Sequence, residues 1–275
     1  MSQQRIAFVG GGNMATSLIG GLLARGTAAA DIVVADPDAG QRERLARQFG
    51  VSTVSAATAA VDGAGTVVLA VKPQQMAEVS RSVAAQLQAS GALVISIAAG
   101  IRLADLARWL GPGVPLIRTM PNRPALIGAG ITALYAGPDV STAARQIAEA
   151  ILAACGPTVW VPDESQIDVV TAVSGSGPAY FFLLIECLEA SAIELGLDPV
   201  TARKLAVETA RGAGLMAAAA TETPAELRQQ VTSKGGTTAA ALEVLEAAGV
   251  RGIFAAAVAA GARRSTALAA EFGTL

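Results

Sequence analysis

Two short segments rich in glycine and hydroxyl side chains contain the residues best able to do chemistry. They are Gly10–Ala15, which follows an apolar run, and Ser233–Thr238, which lies more than two hundred residues later between two helical patterns. Glycine lets backbone N–H groups approach an anion, and a hydroxyl can both donate and accept a hydrogen bond. The chain contains no histidine, which excludes Ser-His-Asp and Cys-His nucleophiles, an HExxH zinc site and a His/carboxylate proton relay. Any chemistry must therefore use a hydroxyl, an amine, a carboxylate, water or a cofactor.

The first segment has the spacing of a dinucleotide-binding turn. Gly10 would allow the sharp turn after a strand, Gly12 would let N–H groups reach a pyrophosphate, and Ala15 would fit where the helix packs on the strand. The N-terminus of that helix would add unpaired donors and the positive end of its dipole. A glycine turn before a helix is often only a tight turn. The strand in front of this one, and Asp36 behind it, favour nucleotide binding.

Asp36 bears on the choice of cofactor. It stands 21 residues after Ala15, at the end of the second predicted strand. A carboxylate in that place accepts hydrogen bonds from the ribose 2′-hydroxyl of NADH and repels the 2′-phosphate of NADPH. Arg42 and Arg44 lie close enough in sequence to offset its charge. We expect the protein to prefer NADH and to use both cofactors.

An alternation of buried strands and amphipathic helices would position these residues. Apolar runs predict strands at 6–9, 32–35, 51–54, 66–71, 93–97, 116–120, 130–135 and 158–161, with helices between most of them. This order predicts an α/β fold with an open, doubly wound sheet. Because ligands bind beyond the carboxyl ends of such strands, the segments that follow the strands are expected to lie along one edge.

Beyond residue 161 the pattern becomes helical. Helices are predicted at 163–195 with a break at 174–178, and at 199–219, 224–231, 238–247 and 251–272. We therefore predict two domains, a Rossmann dinucleotide-binding domain at 1–161 and an all-α domain at 162–275. The small residues Ala255, Ala259 and Ala262 could serve core packing within one chain. We favour a subunit interface, because one small helical domain cannot bury so much apolar surface alone.

Composition narrows the class of protein. Charged residues make up 15% of the chain, which suggests that surface is hidden in an oligomer, and the net charge of −2 gives no sign of nucleic-acid binding. No secretory signal and no convincing membrane span are predicted. Cys155 and Cys187 have neither disulfide nor metal spacing. The sequence thus predicts a cytoplasmic homo-oligomer without a metal site.

Six motifs together resemble one enzyme family along the whole chain. They are GGGNMA at 10–15, AVKP at 70–73, SIAAGI at 96–101, MPNRPAL at 120–126, VSGSGPAY at 173–180 and VTSKGGTT at 231–238. The chain resembles the pyrroline-5-carboxylate reductases, and the last two motifs are the most specific. The resemblance implies a 6-phosphogluconate-dehydrogenase-like fold, with a Rossmann domain and a helical domain that dimerises by interlocking helices. It also implies higher oligomers such as a decamer, and reduction of Δ1-pyrroline-5-carboxylate to L-proline with NADPH or NADH.

The matching motifs and the residue types assign the site. The predicted cofactor site consists of Gly10, Gly11, Gly12, Asn13, Met14, Ala15, Asp36, Ala70, Val71, Lys72, Pro73, Ala98, Ala99, Gly100, Asn122 and Ser174. The predicted substrate site consists of Ser176, Ser233, Gly235, Gly236, Thr237 and Thr238. Thr238 resembles the family's hydroxyl that bonds the ring nitrogen, and it is the predicted catalytic residue. Its alternative role is to cap a helix, and the alternative for the segment at 174–178 is a simple helix kink.

Two positions depart from the family pattern, and two other functions compete. Arg123 replaces the usual Thr after MPN, and Lys234 replaces the usual Pro in SPGG. Arg123 is expected to be a solvated charge, whereas Lys234 could also contact the substrate carboxylate. Another imine or β-hydroxy-acid reductase of the same superfamily is the alternative enzyme. The hydroxy-acid members carry a Lys four residues past the glycine loop, which this chain lacks. A nucleotide sensor would have no use for the loop at 233–238.

Overall fold

The computed structural model describes residues 5–274, which form two compact units. The first unit contains the chain up to Gly175 together with the residues from Ala260 onward, and the second is Ser176–Ala259. The sequence-based boundary, after residue 161, differs from this division. The residues from 162 to 175 stay with the first unit because they pack against its last strands, and the end of the final helix joins the same unit.

One sheet organises the first unit. Its strands lie in the order β3-β2-β1-β4-β5-β6-β7-β8, and all neighbours are parallel except the antiparallel pair β6 and β7. The strands are β1 (Ile6–Val9), β2 (Ile32–Ala35), β3 (Ser52–Val54), β4 (Thr66–Leu69), β5 (Leu93–Ser96), β6 (Leu116–Pro121), β7 (Thr132–Ala136) and β8 (Thr158–Trp160). The prediction of a doubly wound α/β sheet is confirmed.

Helices cover both faces of this sheet. They are α1 (Asn13–Ala24), α2 (Ala39–Phe49), α3 (Ala57–Val61), α4 (Pro73–Ser90), α5 (Leu103–Leu110), α6 (Thr142–Leu152) and α7 (Gln166–Val170). Successive residues of β1 point to opposite faces, so Ala7 and Val9 join one apolar cluster and Phe8 joins the other. The central strands are therefore buried on both sides, as their uninterrupted apolar sequences require.

The second unit is helical. A π turn at Thr171–Gly175 leads from the first unit into α8 (Gly177–Glu194), which is followed by α9 (Pro199–Ala219), α10 (Pro224–Gln230) and α11 (Thr237–Ala247). The last helix, α12 (Val250–Gly273), begins in the second unit and ends in the first. Helices α8 and α9 pack on each other.

Large apolar side chains cover much of the second unit's surface. Phe181 is 65% exposed and Leu215 is 60% exposed in the single chain. Within residues 5–274, the helical stretch Gln166–Glu194 is long and apolar enough to cross a membrane, and α11 and α12 meet the same criterion as a pair bent by 55°. Core helices of soluble proteins meet this criterion as well. Exposed apolar surface of this extent is typical of a surface that binds another protein or a membrane.

Candidate active site

The turn after β1 requires glycine at its first position. Gly10 has φ +101°, and its N–H donates a 2.8 Å hydrogen bond to the Ala35 carbonyl at the end of β2. A Cβ on Gly10 would lie 2.6 Å from the carbonyl oxygen of Ala70, which follows β4. Gly10 therefore lets three strand ends come together.

Gly12 leaves open space at the start of α1. It is the N-cap residue of that helix and has an extended backbone, and no side chain caps the helix. A Cβ built on Gly12 would meet no atom within 4 Å, and the first turn of α1 has no acidic residue. The open cradle and the unpaired N–H groups fit the pyrophosphate of a dinucleotide. Asn13 and Met14 begin this helix, and Ala15 is fully buried where α1 meets the sheet.

Asp36 holds the glycine turn in place. Its Oδ2 accepts a 2.8 Å hydrogen bond from the Gly11 N–H, and its Oδ1 accepts a 2.9 Å hydrogen bond from the Asp38 N–H. The Gln41 amide also donates to the Gly11 carbonyl. The ribose-binding role of Asp36 stays a prediction, and the structure shows that its carboxylate binds the glycine turn. Each carboxylate oxygen keeps a lone pair for a hydroxyl.

The two arginines near Asp36 are bound to neighbouring groups. Arg42 Nη1 donates to the carbonyls of Asp36 and Pro37, at 2.8 and 2.9 Å. Arg44 Nη2 lies 3.1 Å from the Thr16 hydroxyl in the first turns of α1. Neither arginine pairs with the Asp36 carboxylate within the described chain. Of the two arginines, Arg44 is thus the one that contacts the helix after the glycine turn.

The segments after β4 and β5 lie at the same edge of the sheet as the glycine turn, and the first of them contains Lys72. Ala70 N–H donates a 2.8 Å hydrogen bond to the Val9 carbonyl, so this segment lies beside the turn after β1. Val71 and Lys72 follow, and Pro73 is the first residue of α4. Lys72 is exposed and makes no ion pair among residues 5–274. After β5, Ala99 is exposed, whereas Ala98 and Gly100 are buried.

Gly100 is close to the C-terminal end of the chain. A Cβ at this residue, which has φ +74°, would lie 2.9 Å from the Phe272 ring. The structure thus places Gly100 against the last helix of the first unit. Its predicted role in cofactor binding stays a prediction, and the close packing supplies a separate reason for glycine at this position.

Asn122, after β6, connects two further segments. Its Nδ2 donates a 3.2 Å hydrogen bond to the Ser174 carbonyl, and its Oδ1 accepts a 2.9 Å hydrogen bond from the Ile131 N–H. Ser174 lies in the π turn, and its hydroxyl donates to the Val170 carbonyl at 3.1 Å. The predicted break at 174–178 overlaps a π turn at Thr171–Gly175, a distortion often found at functional sites. Ser176 follows it and precedes α8.

The loop at 233–238 lies in the second unit and ends in the N-terminus of α11. Gly235 has φ +71°, and Gly236 is the N-cap residue, so α11 begins at Thr237. No side chain caps α11, which contradicts the alternative that Thr238 is its cap. The hydroxyls of Ser233, Thr237 and Thr238 have no hydrogen-bond partner among the described residues. The loop therefore presents free hydroxyls next to unpaired helix N–H groups.

A buried charged cluster, which no sequence motif predicts, lies behind β6. Arg118 is only 2% exposed, and its Nη1 lies 3.0 Å from Glu164 while its Nη2 lies 3.7 Å from Asp168. Ser265 and Thr266 of α12 donate to Asp168 at 2.7 and 2.9 Å. An arginine within an otherwise apolar buried strand is the signal that could have pointed to this cluster, because an arginine is almost never fully buried without a partner.

The remaining charges near the predicted site are solvent-exposed. Arg123 and Lys234 are exposed, and neither forms an ion pair within the part of the chain that the structure describes. Among residues 5–274, no group of three or more His, Cys, Asp and Glu side chains is arranged to hold a metal ion.

Comparisons with known proteins give consistent matches. Residues 164–268 match the family model for pyrroline-5-carboxylate reductase dimerisation, and residues 5–100 match that for coenzyme F420-dependent NADP oxidoreductases. The chain is 48% identical over 273 residues to a pyrroline-5-carboxylate reductase of Pseudomonas aeruginosa, covering 99% of this chain and 100% of the relative. It is 40% identical over 283 residues to one of Mycobacterium tuberculosis, covering 95% of each.

Solved structures agree over nearly the full length. The pyrroline-5-carboxylate reductase of Coxiella burnetii superposes with a TM-score of 0.94 at 38% identity, covering 97% of this chain and 99% of that one. The Plasmodium falciparum pyrroline carboxylate reductase, solved with NADP bound, has a TM-score of 0.85 at 26% identity, with 98% and 99% covered.

Proposed function

The chain belongs to the pyrroline-5-carboxylate reductase family, and on that premise we propose which of its residues perform the reaction. The protein reduces Δ1-pyrroline-5-carboxylate to L-proline, the last step of proline biosynthesis, with NADPH or NADH. The single observation that carries the assignment of roles is the loop at 233–238, where free hydroxyls stand beside the unpaired N–H groups of α11.

The reaction does not need a strong general acid or base from the protein. Bound NAD(P)H supplies a hydride to the imine carbon, and a protonated cyclic imine is already a strong electrophile. The chain must hold the substrate carboxylate, orient the ring nitrogen and keep the reactants in contact. Positioning of this kind can supply much of the rate enhancement. A chain without histidine can therefore catalyse the reaction.

We assign substrate binding to the loop at 233–238 and to Ser176, which follows the π turn. Gly235 and Thr237 donate backbone N–H groups to the carboxylate, as glycine-rich turns do for anions. Gly236, whose own N–H donates a 3.1 Å hydrogen bond to the Ser233 carbonyl, shapes the turn that lines the substrate site. The Thr238 hydroxyl bonds the ring nitrogen and orients the imine or relays its proton. Ser176 and Ser233 complete the pocket. The unpartnered Thr238 hydroxyl supports this assignment.

Replacing Thr238 by the isosteric valine tests the assignment. Thr238→Val removes one hydroxyl, and we expect kcat to fall by about tenfold to a hundredfold, because a hydrogen bond to a charged group is worth about 1.5–3 kcal/mol. Thr232→Val is the matched control, because the Thr232 hydroxyl bonds the Arg228 carbonyl at 2.6 Å, outside the proposed site. A Thr238→Val enzyme with wild-type kcat and KM would refute the role.

Cofactor binding is assigned to the strand ends of the first unit. The turn at Gly10–Ala15 holds the pyrophosphate, Lys72 and the segment at 98–100 contact the cofactor, and Asn122 and Ser174 stand beside the nicotinamide. We further propose a preference for NADH, which Asp36 favours by accepting the ribose hydroxyl. This preference is wrong if NADPH gives the higher kcat/KM and Asp36→Ala does not improve it.

Lys234 is proposed to assist in holding the substrate carboxylate. Its exposure next to Gly235 and its lack of an ion-pair partner among residues 5–274 support this role. Lys234→Ala should raise KM for pyrroline-5-carboxylate while leaving the Kd of NADH unchanged. An unchanged KM for the substrate would end the idea. Arg123 is proposed to be a solvated charge only.

The protein forms a homo-oligomer, for which the match to the dimerisation model and the exposed apolar helices are the basis. We propose that helices of a domain at 162–275 interlock in a dimer and that dimers assemble into a decamer in the cytoplasm. Light scattering distinguishes these states, since a chain of 27.5 kDa gives about 55 kDa for a dimer and about 275 kDa for a decamer. A mass near 55 kDa at working concentrations would contradict the decamer.

A further inference from the structure

One face of β6 contacts the segment from Glu164 to Gly175 at three places. Arg118 and Met120 of β6 and Asn122, the residue directly after it, stand at alternate positions and so point to the same side of the sheet. Arg118 pairs with Glu164, and Asn122 donates to the Ser174 carbonyl. Met120 lies against Gly175, where an added Cβ would be 2.6 Å from its Cε. Strand β6 therefore supports the whole path from α7 to the end of the π turn.

The buried end of this support is a charge cluster with many bonds. Glu164 Oε1 accepts from Arg118 Nη1 at 3.0 Å and from the Leu103 N–H at 2.8 Å. Asp168 is 7% exposed and accepts from Ser265 and Thr266. Removing one member of such a cluster leaves a buried charge without its partner, which is costly. The cluster therefore holds α7 between β6 and α12.

The contact between Arg118 and Asp168 is incomplete. Their closest atoms are 3.7 Å apart, and Arg118 Nε and Nη2 have no hydrogen-bond partner within residues 5–274. A cavity of about 270 Å³ adjoins them, lined by Arg102, Arg118, Glu164, Ser165, Asp168 and Thr266. The two hydroxyls of α12 hold Asp168 back from the guanidinium. Without them, Asp168 could approach Arg118 by roughly 1 Å to reach a charge-assisted hydrogen-bond length, and α7 would shift with it.

We propose that Arg118, Asp168, Ser265 and Thr266 are positioning residues for hydride transfer. They set the location of the π turn at Thr171–Gly175, which directly continues α7. This inference rests on the proposed function, which places Ser174 of that turn beside the nicotinamide. A displacement of about 1 Å remote from the chemistry can lower an enzyme's rate by about a hundredfold. The cluster thus acts on kcat through the π turn, without touching substrate or cofactor.

Single hydroxyl deletions on α12 test this role with little risk to folding. Ser265→Ala and Thr266→Val each remove one hydrogen bond to Asp168, while Thr266→Ser keeps the hydroxyl. Arg108→Gln is the matched control, because Arg108 also binds the end of α12, donating to the Gly273 carbonyl at 2.6 Å, but does not contact the segment at 164–175. Measurements on the full-length enzyme are kcat, both KM values, Tm, and amide hydrogen exchange across 171–176.

We expect kcat to fall by about tenfold to a hundredfold in Ser265→Ala and Thr266→Val, with the KM for cofactor within about threefold of wild type. Amide exchange across 171–176 should become faster in both variants. Thr266→Ser should retain the wild-type kcat. Arg108→Gln should lower Tm by about as much as Ser265→Ala does. It should leave kcat and the amide exchange of residues 171–176 unchanged.

Two results would overturn the proposal. One is unchanged exchange across 171–176 in Ser265→Ala, which is measured without substrate and so does not depend on the reaction. The other is a loss of kcat in Arg108→Gln as large as in Ser265→Ala. If the cluster only stabilised the fold, kcat in both variants would fall in proportion to Tm. A Ser174→Ala variant with normal kcat would instead refute the placement of Ser174 under the proposed function, and the exchange data would then decide the positioning role alone.

Discussion

Gly12 and Gly10 should respond oppositely to the same methyl group. Gly12 has φ −64° and open space around its missing Cβ, whereas Gly10 has φ +101° and an Ala70 carbonyl oxygen 2.6 Å from the place its Cβ would take. The proposed site puts the cofactor pyrophosphate over Gly12. Gly12→Ala should therefore weaken cofactor binding with little change in stability, and Gly10→Ala should destabilise the fold.

The expected magnitudes follow from the geometry. Losing glycine's freedom in the unfolded chain stabilises Gly12→Ala by about 0.4–1 kcal/mol, and the poorer N-cap costs roughly the same. Its free energy of unfolding should thus stay within about 1 kcal/mol of wild type. The added methyl group keeps the pyrophosphate away from the N–H groups, and a loss of about 1.4 kcal/mol in binding corresponds to a tenfold higher Kd.

Gly10→Ala adds two penalties. The left-handed backbone costs about 1–2 kcal/mol for an alanine, and the overlap with the Ala70 carbonyl adds about 1–3 kcal/mol. At about 2–4 °C per kcal/mol for a protein of this size, Tm should fall by at least about 4 °C.

The assay combines cofactor titration with thermal unfolding. The Kd of NADH is measured by fluorescence, and Tm by calorimetry, for wild type and both variants. Gly12→Ala should show at least about a tenfold rise in Kd with a Tm shift below about 4 °C. A Gly12→Ala protein that binds NADH as tightly as wild type would refute the placement of the pyrophosphate, and one as unstable as Gly10→Ala would refute the reading of the open space.

Three further outcomes follow from individual residues. Asp36→Asn keeps an acceptor for the Gly11 N–H but removes the charge that repels a 2′-phosphate. The ratio of kcat/KM for NADPH to that for NADH should therefore rise at least about tenfold. An unchanged ratio would contradict the role of Asp36 in cofactor choice. Ser80→Ala removes a buried hydroxyl without a hydrogen-bond partner in the described chain, and denaturant titration should give about 1 kcal/mol more stability rather than a loss. Burial raises the pKa of the Cys155 thiol, and the nearby Arg25 charge partly offsets this rise. Alkylation of the native protein at pH 8 should therefore spare Cys155. Labelling of Cys155 as fast as in urea would contradict its burial.

The sheet was predictable because its strands are uninterrupted apolar runs. Each of the runs at 6–9, 32–35 and 116–120 reappears as a strand with ends within one residue. The run at 66–71 gives a shorter strand, since β4 ends at Leu69 where Ala70 meets the turn at Gly10. The antiparallel direction of β7 has no comparable signal, because a short apolar strand reads alike in either direction.

Contacts between distant segments were not predictable from local pattern. The start of α11 was expected at Thr238, but the extended backbone of Gly236 begins the helix one residue earlier and frees the Thr238 hydroxyl. Asp168 and Ser265 are 97 positions apart, and no periodicity links them. Likewise, the bond from Gly11 to Asp36 depends on how two loops meet after their strands. Residue types predicted candidates, and only the fold determined their partners.

The protein catalyses hydride transfer to the imine carbon of Δ1-pyrroline-5-carboxylate. The most direct measurement incubates the enzyme with that substrate and with NADH or NADPH deuterated at the transferring position of nicotinamide C4, and examines the product by NMR. We predict L-proline with deuterium on the ring carbon that adjoins nitrogen and carries no carboxylate, and little of it with Thr238→Val. No substrate-dependent oxidation with either cofactor, or deuterium at any other carbon, would contradict the claim.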